Sequence, residues 1–315
     1  MFGLLDVRSG SLIAGILLLA LIMVGVSAWR KSKRPASFSP LLASITRSLL
    51  ILAAALVVLG LLMLTGETAT ILGFLVLSLV LLREFLTYGE RELHTSQAVI
   101  VGLCAGVALQ FWFVWERWNI AYSAFIPLVA FFFLPFLHTF SREPGFLHRT
   151  AIVQWALMLC VFSVSHTAAL LQLPAILESG RDAAQHTVAQ VGSVTGAHYL
   201  LFAVVTVAGA RILEKITLHS TRNRGLSCVA GALGAVVLTF ALLWMLPAAW
   251  YLAAAAALVG YGASFASATI LASICRDRGF KDFAPTIAGF DSLVTLVVPV
   301  LCASPVIFYL MQLPL

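Results

Sequence analysis

Ten apolar runs constrain this chain more than any other feature of it. Residues 11–29, 41–65, 69–88, 98–115, 120–140, 150–175, 190–213, 226–247, 248–274 and 286–311 each approach or exceed the length an α-helix needs to cross a hydrocarbon layer of about 30 Å. Lipid offers no partner for a backbone N–H or C=O, so each run must satisfy its own amides, which a helix does. The chain is 61% hydrophobic and 10% charged, against roughly 25% charged in soluble domains. The reading is an all-α polytopic integral membrane protein with about ten transmembrane helices.

The first run, Ser11 to Trp29, follows Asp6 and Arg8 and precedes Arg30, Lys31, Lys33 and Arg34. No small-residue cleavage site comes before the basic cluster, which predicts a retained spanning helix. Pro35 and Pro40 then separate it from the rest. The expected organisation is a peripheral first helix with a basic linker over 1–40 and a helix bundle over 41–315.

Charge sets the expected orientation. With the Arg30 to Arg34 cluster placed in the cytoplasm and the runs alternating from there, sixteen of the nineteen basic residues fall inside, and Arg8, Arg117 and Arg181 fall outside. That asymmetry predicts external termini in a cytoplasmic (inner) membrane. It also accounts for the net charge of +6 without nucleic acid, because the basic residues lie in short loops facing lipid headgroups. The five cysteines are odd in number and lack CxxC spacing, so neither a disulfide framework nor a zinc site is expected.

Polar residues inside the runs read mainly as packing devices. Gln154 and His166 suit interhelical hydrogen bonds. His198 has no second His or acid three or four residues on, which argues against a metal there. Arg83 and Glu84 suggest interfacial snorkelling or an ion pair, and Trp112, Trp115 and Trp118 an aromatic belt. Gly231 and Gly234, and Gly260 and Gly262, predict close helix packing.

One stretch stands apart. Ser273 to Asp291, SICRDRGFKDFAPTIAGFD, places Arg276, Asp277, Arg278, Lys281 and Asp282 between two long apolar runs, with Asp291 following. A charge near the bilayer centre costs roughly 2.5–3.5 kcal/mol on insertion scales, so such a cluster near a membrane marks a candidate site. The segment Ser273-Ile-Cys-Arg-Asp-Arg-Gly-Phe-Lys281-Asp282-Phe resembles the signature of the phosphatidate cytidylyltransferases (CDP-diacylglycerol synthases), S-x-x-K-R-D-x-x-x-K-D-[FW] followed by P/A-G-H-G-G-x-x-D-R-x-D. LREFLTYGERE and IVQWALMLCVFSVSHTAALLQLP are also similar to that family, so the likeness spans roughly residues 70 to 311.

The resemblance implies a cytoplasmic, magnesium-dependent site that transfers CMP from CTP to phosphatidate and releases pyrophosphate. Carried over by position, Lys281 and Asp282 are the catalytic pair, Ser273, Arg276 and Arg278 hold substrate phosphates, and Asp282 with Asp291 are the metal ligands. The family pattern is incomplete. Aligned without gaps, A-G-H-G-G falls on Ala288 to Ser292 and D-R-x-D on Thr295 to Val298, which removes both signature acids. A register deleting about seven residues lets Asp291 stand for the last of them. Ser220-Thr-Arg-Asn-Arg replaces S-P-N-K-T, Cys275 replaces the first Lys, and GAHYLLFAVVTVAGA, where an earlier acid is expected, has none.

Two functions follow as expectations. One is a family member of phospholipid metabolism whose catalysis is lost or strongly impaired, binding phosphatidate-like lipids, with a membrane protein or a second copy as partner and without a cofactor. The other is an active cytidylyltransferase with a remodelled metal site or a different lipid phosphate, using CTP and Mg2+. Loss of most metal-holding carboxylates favours the first, because metal ions and positioned charges carry much of the rate in phosphoryl and nucleotidyl transfer.

Overall fold

The structure, a computed structural model, describes residues 6–33, 40–87, 97–139, 146–182, 195–246, 249–277, 279, 283 and 292–313. Every regular element among them is helical. The helices are α1 (Val7–Lys33), α2 (Pro40–Thr65), α3 (Glu67–Thr87), α4 (Gln97–Trp115), α5 (Asn119–Leu128), α6 (Leu134–Thr139) and α7 (Phe146–Leu157). They continue with α8 (Ser163–Ala169), α9 (Leu173–Asp182), α10 (Gly196–Thr221), α11 (Arg224–Leu242), α12 (Trp250–Asp277), α13 (Leu293–Leu301) and α14 (Ser304–Leu310). Turns of π-helix at Val129–Phe133 and Met158–Phe162 join α5 to α6 and α7 to α8. Among the described residues nine helical stretches are long and apolar enough to cross a membrane, and Val101–Trp115 is a shorter apolar helix where the fourth run was expected. The protein is an all-α polytopic membrane protein.

Two compact units divide the chain, one of Met1–Thr70 with Pro174–Tyr261, the other of Ile71–Leu173 with Gly262–Leu315. In the first unit α1 lies along α2, and most of its outer face, including Leu18, Leu21, Ile22 and Trp29, is exposed. Among the described residues the most extensive helix pairing is α10 with α11. Gly234 permits it as expected, since a Cβ there would come within 2.7 Å of Leu213 Cδ2 of α10, and Gly231 does the same for α12, where a Cβ would overlap the Tyr261 ring. Gly262 does not act this way, since a Cβ there meets nothing within 4 Å.

The space left by Gly231 admits Tyr261, whose hydroxyl donates to Glu214 Oε2 at 3.0 Å while Arg211 Nη1 donates to the same oxygen. Glu214 belongs to α10, which runs eight residues beyond the apolar stretch that was read from the sequence. The helix expected to lack an acid therefore carries a buried one, neutralised by a guanidinium one turn earlier. His198, 0% exposed, is part of the N-terminal cap of the same helix: Thr195 N–H donates to its Nδ1 at 3.1 Å.

In the second unit, side chains reach across helices to backbone carbonyls. Gln154 Nε2 donates to Ala130 O at 2.9 Å. In the π-turn, Leu134 N–H bonds Val129 O, five residues back; the next amide in that register is Pro135, which has no N–H. Ala130 O is thus freed by sequence and taken by Gln154. Gln172 Nε2 bonds Val114 O at 2.7 Å at the end of α4, an oxygen that also accepts from the Arg117 amide of the following turn at 3.0 Å. Ser78 Oγ bonds Cys160 O at 2.7 Å, and Gln110 Nε2 bonds Tyr122 O at 2.8 Å and Ser165 Oγ at 2.9 Å.

His166 is fully buried between Phe162 O, 2.8 Å from Nδ1, and the Tyr309 hydroxyl, 3.0 Å from Nε2. Nδ1–H donates to the carbonyl, so Nε2 accepts from tyrosine. Gln154 and His166 thus make the interhelical bonds expected of them. Trp112, Trp115 and Trp118 are exposed.

Glu214→Ala leaves the Arg211 charge without its carboxylate and should lower stability by about 3 kcal/mol, the cost of breaking a largely buried pair. Gly231→Ala should also destabilise by pushing Tyr261 off Glu214. Unfolding monitored by tryptophan fluorescence in detergent, titrated with denaturant, measures both.

Candidate functional site

The charged stretch begins on the last turns of α12. Ser273 is half-buried, and Arg276 and Asp277 are exposed. Arg276 Nη2 approaches Ser273 Oγ at 3.4 Å, the i, i+3 spacing that stacks side chains on one helix face. These residues close one end of an open groove of about 1000 Å³ within the second unit. Its walls are Trp155 of α7 and Phe265, Ala266, Thr269, Ile270 and Ile274 of α12. The groove is thus apolar along α12 and polar at the end, with one guanidinium, one carboxylate and one hydroxyl.

Arg278, Lys281, Asp282 and Asp291 lie outside the described residues, so among the expected site residues the structure brings together Ser273 and Arg276. Phe283, which follows Asp282 in the chain, is described. It is 2% exposed and stacks on Phe85 of α3 with ring centroids 5.2 Å apart and planes 26° from parallel. The end of the signature is therefore pinned to the C-terminal end of α3.

That contact draws in a residue read differently from the sequence. Arg83 is exposed, but Glu84, next to Phe85, is 2% exposed and faces into the unit. Snorkelling does not describe it, because the turn of α3 directs position 84 inward and position 83 out. Glu84 and Phe85 lie in LREFLTYGERE, and nothing in that segment states which residue meets Phe283.

Among the described residues no three His, Cys, Asp or Glu side chains come together to hold a metal ion. Asp282 and Asp291, the two residues expected to hold magnesium, are not among the described residues.

No family model matches the chain, and no solved structure matches it. The chain is similar to YnbB of Escherichia coli (strain K12), described as an uncharacterized protein, at 27% identity over 190 residues. The match covers 60% of this chain and 62% of the relative, so the chain spans under two thirds of that relative's length.

A double-mutant cycle on Phe85→Ala and Phe283→Ala should return a coupling of about 0.5–1.5 kcal/mol in unfolding free energy, as stacked aromatic pairs do. Additive losses would mean the rings do not support one another.

Proposed function

We propose that the chain is a phosphatidate cytidylyltransferase-family membrane protein of phospholipid metabolism in which catalysis is lost or strongly impaired, and that the end of α12 still receives a phosphatidate-like lipid. The observation that carries this reading is the groove: apolar walls along α12 suit an acyl chain, and at its end Ser273 with Arg276 suits a lipid phosphate, the exposed Asp277 carboxylate beside them being open to solvent. A guanidinium bonds phosphate through two parallel N–H groups, which a hydroxyl can supplement. The signature likeness around Ser273 to Phe283 points the same way. So does the shortage of acids, because nucleotidyl transfer needs its phosphate charge neutralised by more than arginine.

A second reading is favoured by Glu84. A buried carboxylate next in the chain to Phe85, which stacks on Phe283, would replace an acid missing from the signature. The active alternative then uses CTP and phosphatidate, with Lys281 and Asp282 as catalytic pair, Arg278 on phosphate, and Mg2+ on Asp282 and Asp291. In both readings the site is on the cytoplasmic side of the inner membrane, the termini are external, and a membrane protein or a second copy is the partner; nucleic acid has no place.

Two experiments test this. Purified chain given labelled CTP, magnesium and phosphatidate is expected to form no CDP-lipid above an Asp282→Asn control, while Arg276→Gln weakens phosphatidate binding about tenfold, the loss of roughly 1.5 kcal/mol of charge-assisted bonding. CDP-lipid formation that Asp282→Asn abolishes would establish the active alternative. For orientation, alkaline phosphatase joined after Leu315 should be active and joined after Arg34 inactive; the reverse pattern would invert the topology.

A further inference from the structure

The turn between α10 and α11, in the first unit, holds two arginines on either side of Asn223. We propose that this turn is a docking site for the phosphate of an anionic phospholipid headgroup, gripped by Arg222 and Arg224.

The face of α11 fixes the kind of partner. Leu226, Val229, Leu233, Val237 and Phe240 are all exposed, and their spacings of three and four residues put them on one side of the helix. A stripe of large apolar side chains open along nearly the whole helix faces hydrocarbon. Arg224 opens the same helix two residues before Leu226, and Arg222 lies four residues before it. Both are exposed, at the level where hydrocarbon gives way to headgroups.

The turn is built to hold these two side chains outward. Asn223 Oδ1 accepts from Gly225 N at 2.9 Å and Leu226 N at 3.2 Å, so the first amides of α11 are already capped. An arriving anion is left to the guanidiniums. Among the described residues neither of them makes a hydrogen bond or ion pair, in contrast to Arg211, about three turns earlier on α10, which is committed to Glu214.

The backbone adds a separate observation. Arg222 closes α10 at φ 54°, ψ 14°, the left-handed conformation that glycine adopts freely and that costs an L-residue energy. Strain of this kind is kept where the side chain is used. A planar guanidinium that pairs with phosphate through two bonds is such a use. The site lies in the other unit from the α12 groove and does not rest on the function proposed for it.

The test uses the full chain in phosphatidylcholine nanodiscs doped with phosphatidylglycerol, with lipid retained on the protein read by native mass spectrometry. Wild type is expected to retain phosphatidylglycerol severalfold over its share of the bilayer. The double variant Arg222→Gln, Arg224→Gln should lose most of that enrichment, and Arg30→Gln, an exposed cation at the end of α1, should keep it. Arg222→Gly should lose part of the enrichment with its Tm at or above wild type, because glycine accepts the positive φ; this separates loss of charge from loss of fold. Wild-type enrichment in the double variant, or an equal loss in Arg30→Gln, would overturn the proposal.

Discussion

Hydrocarbon cannot hydrogen-bond, and the rest of this structure depends on that. It makes every long segment a helix, and it also decides how the helices are joined. In water two apolar surfaces are driven together; in lipid they gain little by leaving the tails, so close fit and polar bonds must hold the bundle. The first unit uses fit, with Gly231 and Gly234 bringing α11 against Tyr261 and Leu213. The second unit uses polar bonds, with amide and hydroxyl side chains reaching for carbonyls of neighbouring helices.

Charge obeys the same constraint. Glu214 is buried and shares one oxygen with Arg211 and Tyr261, so its charge is answered within the unit. Arg222 and Arg224, a few residues on, are exposed at the helix ends, where lipid phosphate can answer theirs. At the other end of the protein's chemistry, Arg276 sits with Ser273 at the mouth of an apolar groove. One rule, that a charge near lipid needs a counter-charge or water, covers all three, and the difference among them is what supplies the answer.

The helical runs and the membrane class were legible because length and hydropathy fix them before any packing is known. Gln154 and His166 were legible as interhelical donors because a polar group in an apolar run has few other uses. Other features were not. Glu214 fell one residue past the end assigned to its run, since apolarity stops at the hydrocarbon edge while hydrogen bonding carries α10 on to Thr221. Of the two readings of Glu84, snorkelling or an ion pair, snorkelling fails on its burial, because a helix of low amphipathicity does not reveal which face turns inward. Gly262 was credited with a close approach that the neighbouring helices do not make. At the candidate site, Ser273 and Arg276 were singled out by the signature resemblance and not as a pair, and the Phe85 to Phe283 stack joins residues about two hundred positions apart, beyond any local pattern.

The bond from Gln154 to Ala130 has a consequence for how the second unit assembles. A lipid-embedded helix presents much the same greasy surface at every height, so a neighbour could settle a turn higher or lower with little change in contact area. A π-turn followed by Pro135 breaks that sameness by leaving one acceptor at a single level. A displacement of one turn, about 5.4 Å, would strand both the amide and the carbonyl in a medium that cannot satisfy either. Proline here works as an index mark: by withholding a donor from its own helix, it tells the next one how deep to sit.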